Sequence, residues 1–207
     1  MLSSITRHDI LNQLMVLRNY LELSKEDEKN PEILEYMEKE DKAAEAIENQ
    51  ITFTKYYQDI GIEAPAWQQV DEYIRTSVIE LRIIDIPVDV SFLDLEIYAD
   101  HLIQKVFYNL MENSLRHGEE ITRIVFSFQE TESGGMIIYE DDGVGISDED
   151  KKQLFRRGFG KHTGLGLFLS REILSITGIK IQETGKPGQG VRFEILIPQG
   201  KYRMREE

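Results

Sequence analysis

The stretch KVFYNLMENSLRHG (residues 105–118) decides how most of this chain is read, because it sets Asn109 and Asn113 four positions apart within a helical pattern. Residues four apart lie on one helix face, so both amides share a stripe with Leu102 and come close to Arg116. Asparagine competes with the helical backbone for hydrogen bonds, so a pair on one stripe suggests side chains kept for another task. An amide oxygen is a neutral ligand suited to Mg²⁺, which prefers oxygen and shares its shell with waters and substrate phosphates. The plainer alternative is two solvated surface amides.

Working outward, YEDDGVGIS (residues 139–147) closes an apolar strand and supplies Asp141, Gly143 and Gly145. The glycines allow close backbone approach to a ligand, and a carboxylate at a strand end can accept a hydrogen bond from an amino group such as that of adenine. Alone, this segment also fits a plain turn; a calcium loop is disfavoured because alternating oxygen ligands closed by a glutamate are missing. Further on, HTGLGLFLSREIL (residues 162–174) puts Gly164 and Gly166 just before a helix with a Leu165, Leu169, Ile173 face. Backbone N–H groups at such a helix start attract anions, a triphosphate among them, although a glycine-softened cap would look the same. Between these two segments, LFRRGFGKHT (residues 154–163) mixes Phe155 and Phe159 with glycines and cations, as a mobile flap over phosphates would.

The surroundings of these segments predict an α+β sandwich, a sheet with helices on one face. Helices are expected over 70–82, 100–117 and 164–176, an extended region over 88–98, and strands near 121–129, 135–141, 179–183 and 191–197, with GKPGQG (residues 185–190) as a hairpin turn and no further signal in the acidic tail. The N-terminal part has a different grammar. Ile10, Leu14, Leu17 and Leu21 form an a/d-type stripe, Asn30-Pro31 breaks it, and Ile33, Met37, Ala44, Ile47 and Ile51 resume it up to about residue 57. Two helices alone bury too little apolar surface, so an antiparallel hairpin completed by a second copy into a dimeric four-helix bundle is expected. Residues 1–57 then form a dimerisation hairpin, 58–66 (QDIGIEAPA) a linker, and 67–207 a second domain.

Charge and composition narrow the function classes. With 38 acidic and 24 basic side chains the formal charge is −14, which disfavours nucleic acid and anionic lipid as partners. The absence of cysteine removes disulfides and thiolate metal sites and fits a reducing compartment. No run approaches the roughly 18 apolar residues of a membrane span, and no signal peptide is evident, so no membrane contact is expected of this fragment.

Taken in order and spacing, Asn109/Asn113, then Asp141-x-Gly143-x-Gly145, then Gly164-x-Gly166 resemble the N, G1 and G2 boxes of the superfamily that holds DNA gyrase, Hsp90, MutL and the histidine kinases. Phe155 and Phe159 resemble its F box, and GVRFEILIP (residues 190–198) is similar to the closing strand of histidine kinase catalytic domains. The resemblance covers most of residues 67–200. It implies a Bergerat-type α/β sandwich that binds ATP with Mg²⁺, Asn113 ligating the metal and Asp141 reading the adenine amino group. The nucleotide pocket it implies is lined by Asn109, Asn113, Arg116, His117, Asp141, Gly143, Gly145, Ile146, Phe159, Lys161, His162, Thr163, Gly164, Leu165, Gly166 and Leu167. In ATP-hydrolysing members a water-activating glutamate stands four residues before the metal asparagine. That position is Asn109 here, so phosphoryl transfer to a protein acceptor is expected rather than hydrolysis.

The acceptor is sought in RHDILNQLM (residues 7–15). At about 100° per residue, His8 and Asn12 fall opposite the apolar stripe, so the imidazole is expected to be exposed. A lone histidine on a helix face is usually unremarkable. Ahead of such a nucleotide domain, however, it resembles the H box of a sensor histidine kinase. That resemblance implies autophosphorylation of His8, Asp9 as its neighbouring base, and onward transfer to an aspartate on a response regulator receiver domain. It also implies a homodimer through the hairpin and a cytoplasmic location, as the core of a longer receptor. A polar side chain one turn after the histidine orients the hydrolytic water in phosphatase-active members, and Asn12, sharing the His8 face, is favoured over Gln13. The proline that commonly follows the H box is missing, so the helix should run unkinked. An anti-sigma-type serine kinase and a degenerate docking platform are the rival readings.

Overall fold

The computed structural model describes residues 4–160 and 164–205. Helix α1 (Ser4–Asp27) and helix α2 (Pro31–Asp59) form the hairpin. Asn30 ends the turn between them by accepting a hydrogen bond from the Glu32 N–H, and Pro31 takes the first helical position, where its missing N–H costs nothing. α1 runs without interruption past Gln13, as the absent proline predicts. The buried line between the helices is narrow: Leu14, Ala44 and Ile51, flanked by Ile10 and Leu11. The predicted stripe is therefore only partly used within one chain. Leu17 is 47% exposed and Ile47 50%, because a second helix can cover only one side of each stripe.

The rest folds as β1 (Ala66–Gln69), α3 (Val70–Glu80), β2 (Val88–Val90), β3 (Leu95–Ala99), a 3-10 turn (His101–Ile103) and α4 (Gln104–His117), then β4 (Ile124–Thr131) and β5 (Gly134–Asp141). After these come a single turn α5 (Asp148–Lys151), α6 (Gly166–Ser175), β6 (Lys180–Glu183), β7 (Arg192–Pro198) and β8 (Tyr202–Met204). Five strands form one sheet in the order β2-β4-β5-β7-β6, antiparallel except for the β2–β4 pair. A smaller antiparallel sheet has the order β1-β3-β8.

Alternation along the strands sends Ile124 and Phe126 of β4, Ile137 and Tyr139 of β5, and Phe193, Ile195 and Ile197 of β7 to one face, all nearly inaccessible. That face meets the apolar stripes of α4 (Val106, Phe107, Leu110, Met111) and α6 (Leu169, Ile173, Leu174). The layers are those of the expected α+β sandwich. Several boundaries differ. α2 extends to Asp59 and β1 begins at Ala66, so the expected linker 58–66 is shortened from both sides. The strand expected over 121–129 starts at Ile124, because Thr122 and Arg123 give their N–H groups to the Asp142 carboxylate instead of a ladder. Helix 100–117 opens with a 3-10 turn capped by Asp100, and helix 164–176 opens at Gly166, because Gly164 has a left-handed φ of +59°. The tail, which carries no further signal in the sequence, adds β8, whose Tyr202 ring packs on Phe128 of the main sheet. Among the described residues no helix is long and apolar enough to cross a membrane.

Candidate functional site

The end of β5 and the start of α6 converge on α4. Asp141, the last residue of β5, is 8% exposed and strongly held: its Oδ1 accepts the N–H groups of Gly143 and Val191, each at 3.0 Å, and its Oδ2 accepts the hydroxyl of Ser114 from α4. Gly143 is buried against Gly118, and a Cβ there would stand 2.7 Å from the Gly118 carbonyl oxygen, so the loop passes too near the end of α4 for any side chain. Gly145 turns the same loop with φ +70°, and Ile146 returns to the core.

Asn109 and Asn113, though on one helix face, have different surroundings. Asn109 is buried, and its amide N–H₂ donates to the Gly166 carbonyl (2.9 Å) and the Ser170 hydroxyl (3.1 Å), fastening α4 to the first turn of α6. Asn113 is half-buried, with its amide unclaimed by any neighbour among the described residues. Arg116 pairs with Glu45 of α2 at 3.2 Å and with Glu112 at 3.1 Å, and His117 closes α4. Gly164 precedes Leu165, which is buried beneath the start of α6, and Leu167 packs partly buried on the core. Among the described residues no side chain caps the N-terminus of α6, which leaves its first N–H groups without an intrahelical partner. Phe155 meets Phe193 edge to face at 6.4 Å, while Phe159 is half-buried. Lys161, His162 and Thr163 lie outside the described residues.

His8 stands exposed on α1 with Asp9 and Asn12. The Asn12 amide lies 3.2 Å from the His8 Nδ1, within hydrogen-bond range, whereas the nearer Asp9 oxygen is 3.6 Å away. One residue earlier, Arg7 bonds the Gln58 side chain and so joins the start of α1 to the end of α2. At that same end, Tyr57 stacks with Phe53 and with Phe168 of α6, Phe53 meets Phe168 at a tilt, and the Arg157 guanidinium lies 5.5 Å from the Phe53 ring. Arg157 and α6 thus rest on the part of the hairpin that bears His8. On the opposite side of α1, Val16, Leu17 and Tyr20 line an exposed shallow groove with Gln13, Leu21 and Ser24.

Several of these contacts were not anticipated. Ser114 and Tyr139 stand behind Asp141, Ser170 behind Asn109, and Glu45 beside Arg116. The period of two in β5 already puts Tyr139 on the face of Asp141, so that one was available from sequence. The Glu45 contact was not, since no pattern relates 45 to 116.

Residues 99–201 match the family described as Histidine kinase-, DNA gyrase B-, and HSP90-like ATPase. Over 103 residues the chain is 36% identical to the alginate biosynthesis sensor protein KinB of Pseudomonas aeruginosa, covering 46% of this chain and 17% of that one. It is 27% identical to the signal transduction histidine-protein kinase AtoS of Escherichia coli, covering 92% of this chain and 33% of that one. The fold matches the crystal structure of histidine kinase ThkA in complex with response regulator protein TrrA, with TM-score 0.61 and 22% identity, covering 94% of this chain and 60% of that one. The chain therefore spans a third or less of these two curated relatives.

Proposed function

Since residues 99–201 belong to the histidine kinase-, DNA gyrase B- and HSP90-like ATPase family and follow a helical hairpin in the manner of a sensor histidine kinase core, we propose that the chain moves the γ-phosphoryl group of ATP to His8 and onward to a receiver-domain aspartate. The observation that carries the reading is the packing of Phe168 and Arg157, from the nucleotide side, on Phe53 and Tyr57 at the His8 end of the hairpin.

Each step has a residue suited to it. The Asp141 carboxylate, fixed at the end of β5, accepts from the adenine amino group, and the start of α6, which no side chain caps among the described residues, offers N–H groups to the phosphates. Asn113 suits a divalent metal because, among the described residues, nothing claims its amide and no cluster of three His, Cys, Asp or Glu could hold one unaided; the nucleotide's oxygens would complete the shell. Mg²⁺ bound there would offset charge on the phosphates. At His8 the reacting tautomer carries its hydrogen on Nδ1: Nε2 attacks the γ-phosphorus, the bond to ADP breaks, and Asp9 takes the Nδ1 proton after a small rotation, whereas in the other tautomer Nδ1 accepts from the Asn12 amide, which steadies the ring before reaction. Asn109 presents no carboxylate to activate water, which favours transfer over hydrolysis. Asn12 also serves as the water-orienting group for removal of phosphate from the regulator.

The partners follow from the surface. Met15, Val16, Leu17, Tyr20 and Leu23 are exposed along α1, more apolar area than one chain covers, which supports a homodimer through the hairpin. A receiver domain as partner is supported by the ThkA complex, and the reading carries a location in the cytoplasm as the core of a longer receptor. Incubation with γ-labelled ATP and Mg²⁺ tests the proposal: the native chain becomes labelled, and His8→Ala does not. Equal labelling of His8→Ala would refute it.

A further inference from the structure

Tyr139 is fully buried two residues before Asp141, yet no step of the phosphoryl transfer uses its phenol. Its ring belongs to the aromatic core, 5.0 Å from Phe126 and 6.3 Å from Phe193. Its hydroxyl does not simply end in apolar surroundings: it lies 2.6 Å from the Ser114 Oγ and 3.4 Å from the Leu110 carbonyl. Ser114, itself 4% exposed, touches the Asp141 Oδ2.

Proton counting fixes the direction of this chain of contacts. A carboxylate only accepts, so the single Ser114 hydrogen goes to Asp141. The Ser114 oxygen is then an acceptor, and the phenol donates to it. Burial pushes the Tyr139 phenol well above its ordinary range, so it keeps its proton at neutral pH. The remaining acceptor capacity of Asp141 can be counted in the same way. Both lone pairs of Oδ1 are taken, by Gly143 and Val191, and one of Oδ2 is taken by Ser114. One lone pair, on Oδ2, is left for a ligand.

We propose that Tyr139 is a positioning residue for base recognition: through Ser114 it locks the Asp141 carboxylate so that a single acceptor faces the ligand, which selects a 6-amino purine over a 6-oxo purine. This rests on the reading of Asp141 as the adenine-contacting group and adds what sets its selectivity. The Leu110 carbonyl, 3.3 Å from the Ser114 Oγ, is a second acceptor for the Ser114 hydrogen; with the phenol no longer donating to the Ser114 oxygen, that hydrogen can turn to it and the carboxylate gains freedom to turn. A 6-oxo purine sets an oxygen where the amino group would be, and a carboxylate free to turn can reach its ring N–H instead.

The test is calorimetric binding of ATP and of inosine triphosphate to the full chain and to Tyr139→Phe, Ser114→Ala and the double variant. Phenylalanine keeps the ring contacts, so the core is preserved. The native chain prefers ATP. In Tyr139→Phe, ATP binding weakens by about tenfold while inosine triphosphate changes by less than about twofold, so the preference narrows. The double variant discriminates no worse than Ser114→Ala, because both act through one path. If the native chain discriminates and Tyr139→Phe weakens both nucleotides equally, or changes neither, the inference fails and the reading of Asp141 stands. If the native chain binds both nucleotides equally, that reading fails, and the inference with it.

Discussion

Replacing Asn109 by aspartate changes one NH₂ into an oxygen at nearly constant shape, and the site responds in a way that can be calculated by sign. The Asn109 amide nitrogen gives two hydrogen bonds, to the Gly166 carbonyl at 2.9 Å and to Ser170 at 3.1 Å, from a side chain 8% exposed. Asn109→Ala forfeits both bonds but leaves Gly166 a donor in Ser170, whose hydroxyl already reaches that carbonyl at 3.0 Å; about 1.5 kcal/mol is lost. Asn109→Asp forfeits them and also sets a buried carboxylate against the Gly166 oxygen, for a total of about 3 kcal/mol. At 2–4 °C per kcal/mol for a chain of this size, the melting temperature falls by roughly 3–6 °C for alanine and roughly 6–12 °C for aspartate. The aspartate deficit depends on pH. Its folded pKa is raised by burial, so the cost is absent below about pH 4, the unfolded value, and grows as pH rises through the folded one. Thermal unfolding followed by circular dichroism at pH 7 and pH 5 measures both effects. Asn109→Asp as stable as the native chain, or more stable than Asn109→Ala, would refute the donor role and with it the tie between α4 and the start of α6.

Two glycines in one turn separate backbone strain from steric closure: Gly190 has φ +83° and a Cβ there would lie 1.9 Å from the Asp141 carbonyl oxygen, whereas Gly188 has φ +79° with open space around it. Gly188→Ala should therefore cost only the left-handed penalty of about 1–2 kcal/mol, and Gly190→Ala distinctly more, with ATP binding impaired in addition; denaturant titration and calorimetry distinguish them. In the hairpin, the hydrogen bond from Arg18 to Asp41, at 2.9 Å, holds the Asp41 carboxyl below its ordinary range. A lowered folded pKa gives stability that is present above the unfolded value near pH 4 and is lost as pH falls through the folded value, so native and Asp41→Asn chains should differ in urea midpoint at pH 7 and converge as pH falls below the unfolded value.

The sequence is most informative where a local rule meets a specific spacing. Asn109, Asn113, Asp141 and the glycines of the two loops are legible because helix periodicity and turn chemistry single them out, and the sandwich follows from alternating strands between amphipathic helices. The same periodicity puts both asparagines on one face but does not say that one is buried against α6 while the other is only half-buried; that difference depends on where Gly166 and Ser170 come to rest. The stripe of α1 is visible, yet its exposed half is not, because a heptad pattern does not state how many helices will cover it. Long-range pairings such as Glu45 with Arg116, or Phe53 and Tyr57 with Phe168, carry no local signature at all. They depend on the way the hairpin lies on the nucleotide side, and their residues would pass as ordinary surface charge and core aromatics.

The chemical stability of the phosphorylated chain tests the central claim most directly. After incubation with γ-labelled ATP and Mg²⁺, the label on the chain should be lost in acid and kept in alkali, as for a phosphoryl group on imidazole, and peptide mapping should place it at His8. A label that survives acid, on a serine or threonine, would contradict the account.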